Sequence, residues 1–507
     1  MPPLSGLLST RDASWNAPLW ARAGLVAAAL GLIAFRFADR DLVTYVLDEP
    51  QIQDAAQAHA ARGTWARISV VTGTQGVRYG PAPLWFYTAV HRVAGPLPET
   101  SILATTLLLT FSQLGLALAV ARTLGGGAVV FATGAALFAA SPYLFYWSRT
   151  GWDNPLLGAF TVLAVAVLLL DRLRPLVRGA LLGLLVGLGL STHLMSIPFS
   201  LAVAGMLAAQ ALRRRQARIE LGALIVLALV VNLPYLAALG SEPPYRPTSW
   251  ESWGGPWAAT ARIADRLVDP ARVMTAASID RFLDAGRASF HARLGAARLV
   301  LEAGDFLAPL LGLLAAAGLT WAARSGHRPT RTLGRLGLLL WLGHAVFLGL
   351  PALVPEPHYQ QPTAWLVPVG SCALAMALLP RSTRGAWLLI GALWAVALAQ
   401  VTVIESWMGW LRAQGGTAGI HYSVPLSAQR ELLRAACATE RPGVALANRT
   451  VLFAYSLLSL ARTEPACSGK QIGVCPGSCP PLDPRWRVVP VRYLDPPGGR
   501  LAPVPSG

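Results

Sequence analysis

Long apolar segments alternate with short polar ones along most of the chain. Stretches of roughly 20 mostly apolar residues, the length that crosses about 30 Å of hydrocarbon as a helix, recur from residue 19 to residue 404. The pattern predicts an all-α polytopic membrane protein with about eleven spans. They are expected near 19–38, 100–121, 127–146, 155–170, 179–193, 196–212, 219–238, 303–323, 333–351, 363–380 and 385–404.

Composition supports this class. Of the 507 residues, 54% are hydrophobic and only 13% are charged, far from the values of a soluble enzyme. The first apolar stretch is longer than a secretory h-region and lacks a clear cleavage site, so we expect a retained anchor.

The net charge of +17 arises mainly from arginines whose positions indicate the membrane topology. Arginines cluster in short loops between apolar segments, which the positive-inside rule places in the cytoplasm. These loops are 171–178, 213–218, 324–335 and 380–384. No basic stripe with interleaved aromatics lies in a soluble segment, which argues against nucleic acid as a partner and for contact with membrane lipids.

Alternation from these loops predicts two domains, a transmembrane domain at 1–404 and an extracytoplasmic domain at 405–507. In the first external loop, 39–99, we expect an interfacial helix at 50–62 and an apolar dip into the outer leaflet at 82–95. A second long external loop, 239–302, is large enough to carry function.

The last hundred residues have the composition of a small soluble module, α/β or irregular. The module carries four cysteines, which favour disulfides in an oxidising compartment over a zinc site, because no histidine follows at finger spacing. The candidates are Cys437, Cys467, Cys475 and Cys479.

Two adjacent acids, Asp48 and Glu49, follow the first span and precede Pro50. An acid before a proline is typical of a helix start. A carboxylate at the membrane rim could equally take a proton from an acceptor hydroxyl or amine. The residues alone leave both readings open.

A second polar pair lies between two later spans. Arg149 and Asp153 have the spacing of an i,i+4 ion pair, with Asp153 or Asn154 capping a span that begins at Pro155. The functional alternative sets Arg149 against a phosphate, with Asp153 as a second acid or a cation ligand.

Further polar residues emerge on the same predicted face. They are Arg78, His193 and the segment with Glu356, His358 and Tyr359. A histidine at a span end is typical of an interfacial anchor, so no metal is asserted; a divalent cation held by Glu49, Asp153 and His193 stays open. Anchoring residues alone would be shared between both faces, so this convergence favours a site.

Four segments resemble the GT-C membrane glycosyltransferases, the group that holds the protein O-mannosyltransferases and the bacterial aminoarabinose transferases of lipid A. The resemblance covers the N-terminal half well and the late spans loosely, whereas the loop 239–302 and the tail match nothing in the family. The segments are "LDEPQIQDAAQAHAARGTW", "RYGPAPLWFY", "FAASPYLFYWSRTGWDNPLLGAF" and "HYQQPTAWLVPV".

The resemblance implies that Asp48 is the catalytic base, with Glu49 as its neighbour and Asp153 as a second acid. It also implies a polyprenyl-phosphate sugar donor, reached from the outer leaflet, and inversion at the anomeric carbon. Aminoarabinose-type members have a lysine near the first-loop prolines where this chain has Arg78.

The predicted function is therefore hexosyl or pentosyl transfer to a lipid, glycan or protein at the outer face of the cytoplasmic membrane. The donor phosphate is expected on Arg78, Arg149, His358 and Tyr359, and no cofactor is expected beyond the open question of a cation. The alternative is a transporter or flippase of lipid-linked sugar or another anion. Transporters tend to carry ionisable groups at mid-membrane, whereas the acids here lie near span ends.

Overall fold

The structure is a computed structural model of the chain. It describes residues 15, 17–43, 45, 48–72, 77–239, 255–282, 287–350, 357–414, 425–438, 442–446, 451–470, 473–476, 487–493 and 501–503.

Helices dominate these described residues. In chain order they are α1 (Leu19–Phe35), α2 (Asp48–Ala61), α3 (Ala82–Ala94), α4 (Pro98–Leu124), α5 (Gly127–Ala140), α6 (Pro142–Trp147), α7 (Asn154–Leu168), α8 (Pro175–Thr192), α9 (Ile197–Ala211), α10 (Arg215–Leu239), α11 (Gly255–Arg266), α12 (Asp269–Arg272), α13 (Arg287–His291), α14 (Ala297–Ala323), α15 (Arg328–Gly349), α16 (Leu366–Leu378), α17 (Thr383–Gln414), α18 (Leu426–Cys437) and α19 (Val451–Ala461).

The prediction of an all-α membrane domain is confirmed. Within the described residues, seven helices are long and apolar enough to cross a membrane, and four shorter apolar helices accompany them. Together they occupy the positions of the eleven predicted spans, while α2 and α3 occupy those of the interfacial helix and the apolar dip. The third predicted span breaks at Ser141, whose extended backbone ends α5 and whose hydroxyl caps α6.

One end of the helix bundle gathers the polar segments, and we call it the site end. It carries α2, α3, the loop Ser148–Asp153, α11 to α13, the short helix Pro357–Gln360 and the C-terminal module. Contacts across it join distant parts of the chain. Arg430 donates to Glu99 at 2.8 Å, and Arg262 donates to the carbonyl of Gly349 at 3.0 Å.

The opposite end collects the arginine-rich loops, and we call it the arginine end. Arg178 forms a buried ion pair with Glu220, and Arg328 donates to Gln210 at 3.0 Å. The segregation predicted from the sequence is thus present in the structure.

The C-terminal module is α/β. Its sheet has the order β4-β3-β5-β6, with β3 (Pro442–Leu446) parallel to β4 (Gly473–Pro476) and β5 (Arg487–Tyr493), and β5 antiparallel to β6 (Leu501–Pro503). A separate short hairpin, β1 (Val71–Thr72) with β2 (Val77–Arg78), precedes α3. The preceding span α17 continues to Gln414, and the division of the chain at 404 stays a prediction.

A shared core fixes this module on the site end. Val43, Tyr45 and Ile102 from the membrane domain pack with apolar residues of α18 and α19. Tyr45 also hydrogen-bonds Ser459 at 2.9 Å, and Asp54 accepts from Ser459 at 2.7 Å. Because these contacts are buried, the module forms one wall of the site end.

Helices α8 and α10 pack along a seam of small residues. Gly179, Gly183 and Gly187 recur every fourth residue, and a Cβ on any of them would meet the α10 backbone. Close backbone approach of this kind drives helix association in lipid, where hydrophobic burial offers little.

Replacing Gly183 tests this seam. A methyl group there would lie 2.5 Å from the carbonyl oxygen of Leu224, so Gly183→Ala should lower the free energy of unfolding by roughly 1–3 kcal/mol. Equilibrium unfolding in mixed micelles would measure the loss. The matched control is Gly222→Ala on α10, whose Cβ would have nothing within 4 Å. Equal stability of the two variants would contradict the seam.

A disulfide joins Cys437 at the end of α18 to Cys467, 30 residues further along the chain. Both cysteines are buried, so two of the four predicted disulfide candidates are confirmed as a pair. Cys479 lies outside the described residues, and only the backbone of Cys475 is described.

Removing this bond should loosen the module, because the closed loop restricts the unfolded chain. Cys437→Ser with Cys467→Ser should cost about 3 kcal/mol, measured as protection of the module from proteolysis. Reductant should weaken the parent protein to the same degree and leave the double variant unchanged. A parent protein insensitive to reductant would contradict a stabilising role.

Candidate functional site

A short loop, Ser148–Asp153, is the centre of the site end. Helix α2 binds both polar backbone groups of Gly151. The Gly151 N–H donates to the carboxylate of Glu49 at 2.7 Å, and the Gly151 carbonyl accepts from Gln53 at 2.9 Å. Glu49 is 1% exposed, and a Cβ at position 151 would lie 3.0 Å from the Gln53 amide. Glycine therefore allows α2 to approach the loop.

Helices α3 and α4 hold the loop from its other side. The Tyr87 hydroxyl donates to the carbonyl of Trp152 at 2.6 Å, and the Thr106 hydroxyl donates to the carbonyl of Ser148 at 2.7 Å. His91 extends this network to Gln53 at 2.9 Å. Three helices thus satisfy the loop's backbone, which leaves its side chains little freedom to move.

Asp153 and Asp48 form an acid pair. Asp153 is 2% exposed, and burial, reinforced by the charge of nearby Asp48, raises the pKa of Asp153 to about 8. Its side chain does not cap α7, and its Oδ1 has no hydrogen-bond partner among the described residues. The capping role open in the sequence is therefore not the one that this carboxyl has.

Glu49, the other acid of the first loop, has a structural contact of its own. Asp48 and Glu49 together form the first turn of α2, where negative charge favours the helix N-terminus. Since Glu49 accepts from Gly151, it holds the loop, while half-buried Asp48 remains beside Asp153.

Aromatic and imidazole rings pack together next to the loop. His358 lies 5.7 Å from Trp147 and from Trp152, 6.1 Å from His193 and 4.4 Å from Tyr359, measured between ring centroids. Trp147 and Trp152, which precede Asp153 in sequence, therefore meet the residue that follows α8 and the short helix Pro357–Gln360.

His193 is neutral in this setting. Its Nδ1 accepts from the backbone N–H of Met195 at 3.1 Å, and burial lowers the pKa of the imidazole to about 3. Tyr79 stacks on it at 4.4 Å. Within the described residues no group of three or more metal-ligating side chains forms, so Glu49, Asp153 and His193 do not assemble as one.

Arg78 lies at the end of β2, on the α8 side of the acid pair. Its carbonyl accepts from Tyr235 at 3.0 Å, and downstream the Ala82 N–H donates to Ser191 at 3.1 Å. Ser191 precedes His193 by two residues, so the segment from Arg78 to Ala82 borders the group formed by His193, His358 and Tyr359, which we call the histidine cluster. A Cβ on Gly80 would collide with Ser191, which explains a glycine here.

An apolar groove leads away from this segment. It has a volume of about 670 Å³ and is lined on one side by residues of α3 and on the other by residues of α7, α8 and α10. Its walls are Trp65, Ala66, Arg67, Ala82, Trp85, Phe86, Phe160, Leu188 and Pro234. Because Ala82 and Leu188 belong to it, the groove begins beside the histidine cluster.

Arg149 is placed differently from the other predicted residues. Its guanidinium donates to the carbonyl of Asp39 and lies 4.8 Å from the ring centre of Phe145. It does not pair with Asp153, whose Oδ1 has no partner among the described residues. The loop thus places Asp153 beside Asp48 and Arg149 at a second cavity beside α1.

Several residues of the site were not identified from the sequence. The amphipathic pattern of 50–62 predicts Gln53 on the polar face of the interfacial helix, yet Gln53 is fully buried against Gly151. Its position four residues after Glu49 was the available signal, since i and i+4 share a helix face. Tyr87 and Arg36 gave no comparable signal. Glu356 lies outside the described residues.

Comparison with known proteins agrees with this geometry. No protein-family model and no curated relative matches the chain. Its structure is similar to that of ArnT from Cupriavidus metallidurans bound to undecaprenyl phosphate, with a TM-score of 0.51 and 14% identity over 91% of this chain and 90% of that chain. ArnT in the apo state gives a TM-score of 0.48 and 14% identity over 90% of this chain and 89% of that chain.

The chain is thus a polytopic membrane protein. More particularly, its fold is similar to that of ArnT, and the GT-C-like fold predicted from the sequence is confirmed. At 14% identity the likeness establishes the fold and leaves the reaction to the side chains.

The raised pKa of Asp153 should shape the pH dependence of stability. Between its ordinary pKa of 3.8 and about 8, the folded protein retains a proton that the unfolded chain has lost. Stability should therefore fall as pH rises through this range, and Asp153→Asn should reduce the fall. Thermal unfolding between about pH 5 and about pH 8 would measure it. Exposed Asp171, replaced by Asn, is the control, and parallel profiles for parent and Asp153→Asn would contradict the assignment.

Proposed function

We propose that the protein is a membrane glycosyltransferase that moves a sugar from a polyprenyl-phosphate donor to an acceptor. The observation that carries the proposal is the acid pair, Asp48 beside buried Asp153. An apolar groove lined in part by α3 lies at the same end of the bundle. A groove of this kind suits an isoprenoid chain, and ArnT, the protein of similar fold, binds undecaprenyl phosphate.

The acid pair supports a single general base. With its pKa near 8, Asp153 is mostly protonated at neutral pH, so the pair carries about one negative charge. Asp48 is then the carboxylate that takes the acceptor's proton. Asp153 stays neutral and can donate a hydrogen bond, which spares the buried site a second negative charge.

The reaction is a one-step displacement at C1 of the sugar. The acceptor oxygen or nitrogen loses its proton to Asp48 and forms the new bond to C1. The bond from C1 to the phosphate oxygen breaks, and the phosphate leaves with the electron pair, which inverts the anomeric centre. The sugar, hexose or pentose, would lie between the acid pair and the histidine cluster.

The leaving phosphate needs positive charge or hydrogen-bond donors. Arg78 lies four residues before Ala82, which lines the groove, and His358 packs on Trp152, the residue before Asp153, with Tyr359 packed on His358. Because His193 is neutral and its Nδ1 is already an acceptor, it can contribute one N–H from Nε2. These side chains are our proposed phosphate subsite.

The basic loops indicate which end of the helix bundle faces the cytoplasm. The loops of the arginine end are short and basic, which favours the cytoplasmic side. We infer that the site end, with the disulfide-bonded module, faces outward from the inner membrane. An oxidising compartment would also preserve the bond between Cys437 and Cys467.

Replacing Asp48 tests the proposal directly. Asp48→Asn should lower transfer by about 100-fold or more, because the amide cannot accept the proton. Purified protein would be given a polyprenyl-phosphate sugar, and released polyprenyl phosphate would be measured. Asp305→Asn, an exposed acid on α14, is the matched control. Full activity of the Asp48→Asn variant would show that Asp48 is not the general base.

The same preparation separates the transporter alternative. Counterflow of labelled donor across reconstituted vesicles, without release of polyprenyl phosphate, would favour transport. Release that depends on Asp48 and requires an acceptor favours transfer.

A further inference from the structure

A second cavity lies on the other side of the loop Ser148–Asp153. Its volume is about 500 Å³, and it is enclosed by the end of α1, the start of α4 and helix α18 of the C-terminal module. Five arginines line it against two carboxylates, those of Asp41 and Glu99. The arginines are Arg36, Arg40, Arg149, Arg430 and Arg434.

The carboxylates leave much of this positive charge unbalanced. Arg430 binds Glu99 at 2.8 Å and Glu464 at 3.1 Å, and Arg434 binds Glu464 at 3.2 Å. These pairs neutralise the wall contributed by the module. Opposite them, Arg36 bonds only neutral groups in the described structure, the Gln113 amide and the Phe138 carbonyl.

Two of the arginines each have a side-chain nitrogen without a hydrogen-bond partner among the described residues. Arg36 is 2% exposed and Arg149 is 4% exposed, yet Nε of Arg36 and Nη1 of Arg149 have no hydrogen-bond partner among the described residues. Burial without a carboxylate in contact also lowers the pKa of Arg149 to about 10, so it stays charged at neutral pH. A buried cation with a vacant donor is costly unless an anion completes it.

We infer that this cavity binds a phosphate-class anion at a site separate from the proposed donor phosphate subsite. The anion would be held by Arg36, Arg40 and Arg149, with Ser427 of the module closing the cavity. On the proposed transferase function, its natural carrier is the acceptor, placed within one short loop of Asp48. The anion site itself does not depend on that function.

The loop Ser148–Asp153 lies between the anion cavity and the acid pair. Ile102 and Thr106 line the cavity; a Cβ on Gly151 would lie 3.6 Å from Ile102, and the Thr106 hydroxyl donates to the carbonyl of Ser148. One face of the loop therefore borders the anion cavity while Trp152 and Asp153 border the histidine cluster. An acceptor held by its anionic part in the cavity would extend past the loop toward the acid pair.

Binding of simple probes to the purified full-length protein in neutral detergent tests the site. Titration calorimetry would use inorganic phosphate and dodecyl phosphate, each at up to millimolar concentration. Binding of both shows a site for a free anion, and binding of dodecyl phosphate alone shows a lipid-borne one; either result supports the cavity. Saturating undecaprenyl phosphate should leave this binding unchanged, and loss of binding in its presence would overturn a separate site.

Variants locate the probe. Arg149→Gln and exposed Arg40→Gln should each weaken probe binding about tenfold, as expected for one charge-assisted contact. Ser427→Trp, which fills the cavity and keeps the arginines, should weaken it too. Arg62→Gln, at an exposed arginine that directly follows α2 and lies outside the cavity, is the matched control.

The outcomes distinguish this inference from the proposed function. The proposed anion site would be contradicted if the parent protein bound neither probe. It would also be contradicted if both arginine variants bound the probe with unchanged affinity. Weaker undecaprenyl phosphate binding in Arg149→Gln would assign that arginine to the donor and also overturn it. Probe binding without any glycosyl transfer would support the anion site and contradict only the proposed transferase function.

Discussion

The hydrogen bond from Gly151 to the Glu49 carboxylate holds the site together. It joins the helix that follows the first span to the loop between the third and fourth spans, two segments about a hundred residues apart. In a bilayer, chemistry on polar side chains is confined to span ends, because the spans must satisfy their own backbone. A functional site there has to be assembled from separate loops. Glu49 makes that connection, and Gln53 completes it on the loop's carbonyl.

Two sites follow from the way this loop is held. Its backbone is bonded to α2, α3 and α4, which fixes both of its ends. Asp153 lies beside Asp48, whereas Arg149 lines the cavity beneath the C-terminal module. The module is then a functional part of the protein, since α18 supplies one wall of that cavity.

Electrostatics divide the two sites as well. On one side burial raises the pKa of a carboxyl, and on the other it lowers that of a guanidinium. Neither group forms an ion pair among the described residues, and the charges of Asp39 and Asp41 offset the effect of burial on Arg149 only in part. Such isolation destabilises the folded protein, and it is characteristic of positions where a substrate supplies the missing partner.

The sequence by itself determined the bundle, its two ends and most of the polar residues at one of them. Apolar runs of span length and arginine-rich loops act locally, so their positions can be read without knowing any tertiary contact. For this reason Asp48, Asp153, His193 and His358 could be assigned to one end before their neighbours were known. The family resemblance added roles for the acids, which stay predictions.

Only the tertiary structure decided which of these residues meet. Arg149 and Asp153 are four residues apart and could have formed an ion pair, yet the loop's backbone bonds turn them to different cavities. The pairing of Cys437 with Cys467, the burial of Gln53 and the convergence of Arg36 with Arg430 likewise depend on contacts between distant segments. Periodicity and composition describe how a segment partitions between lipid and water; they carry no information on the neighbour that will satisfy a buried polar group.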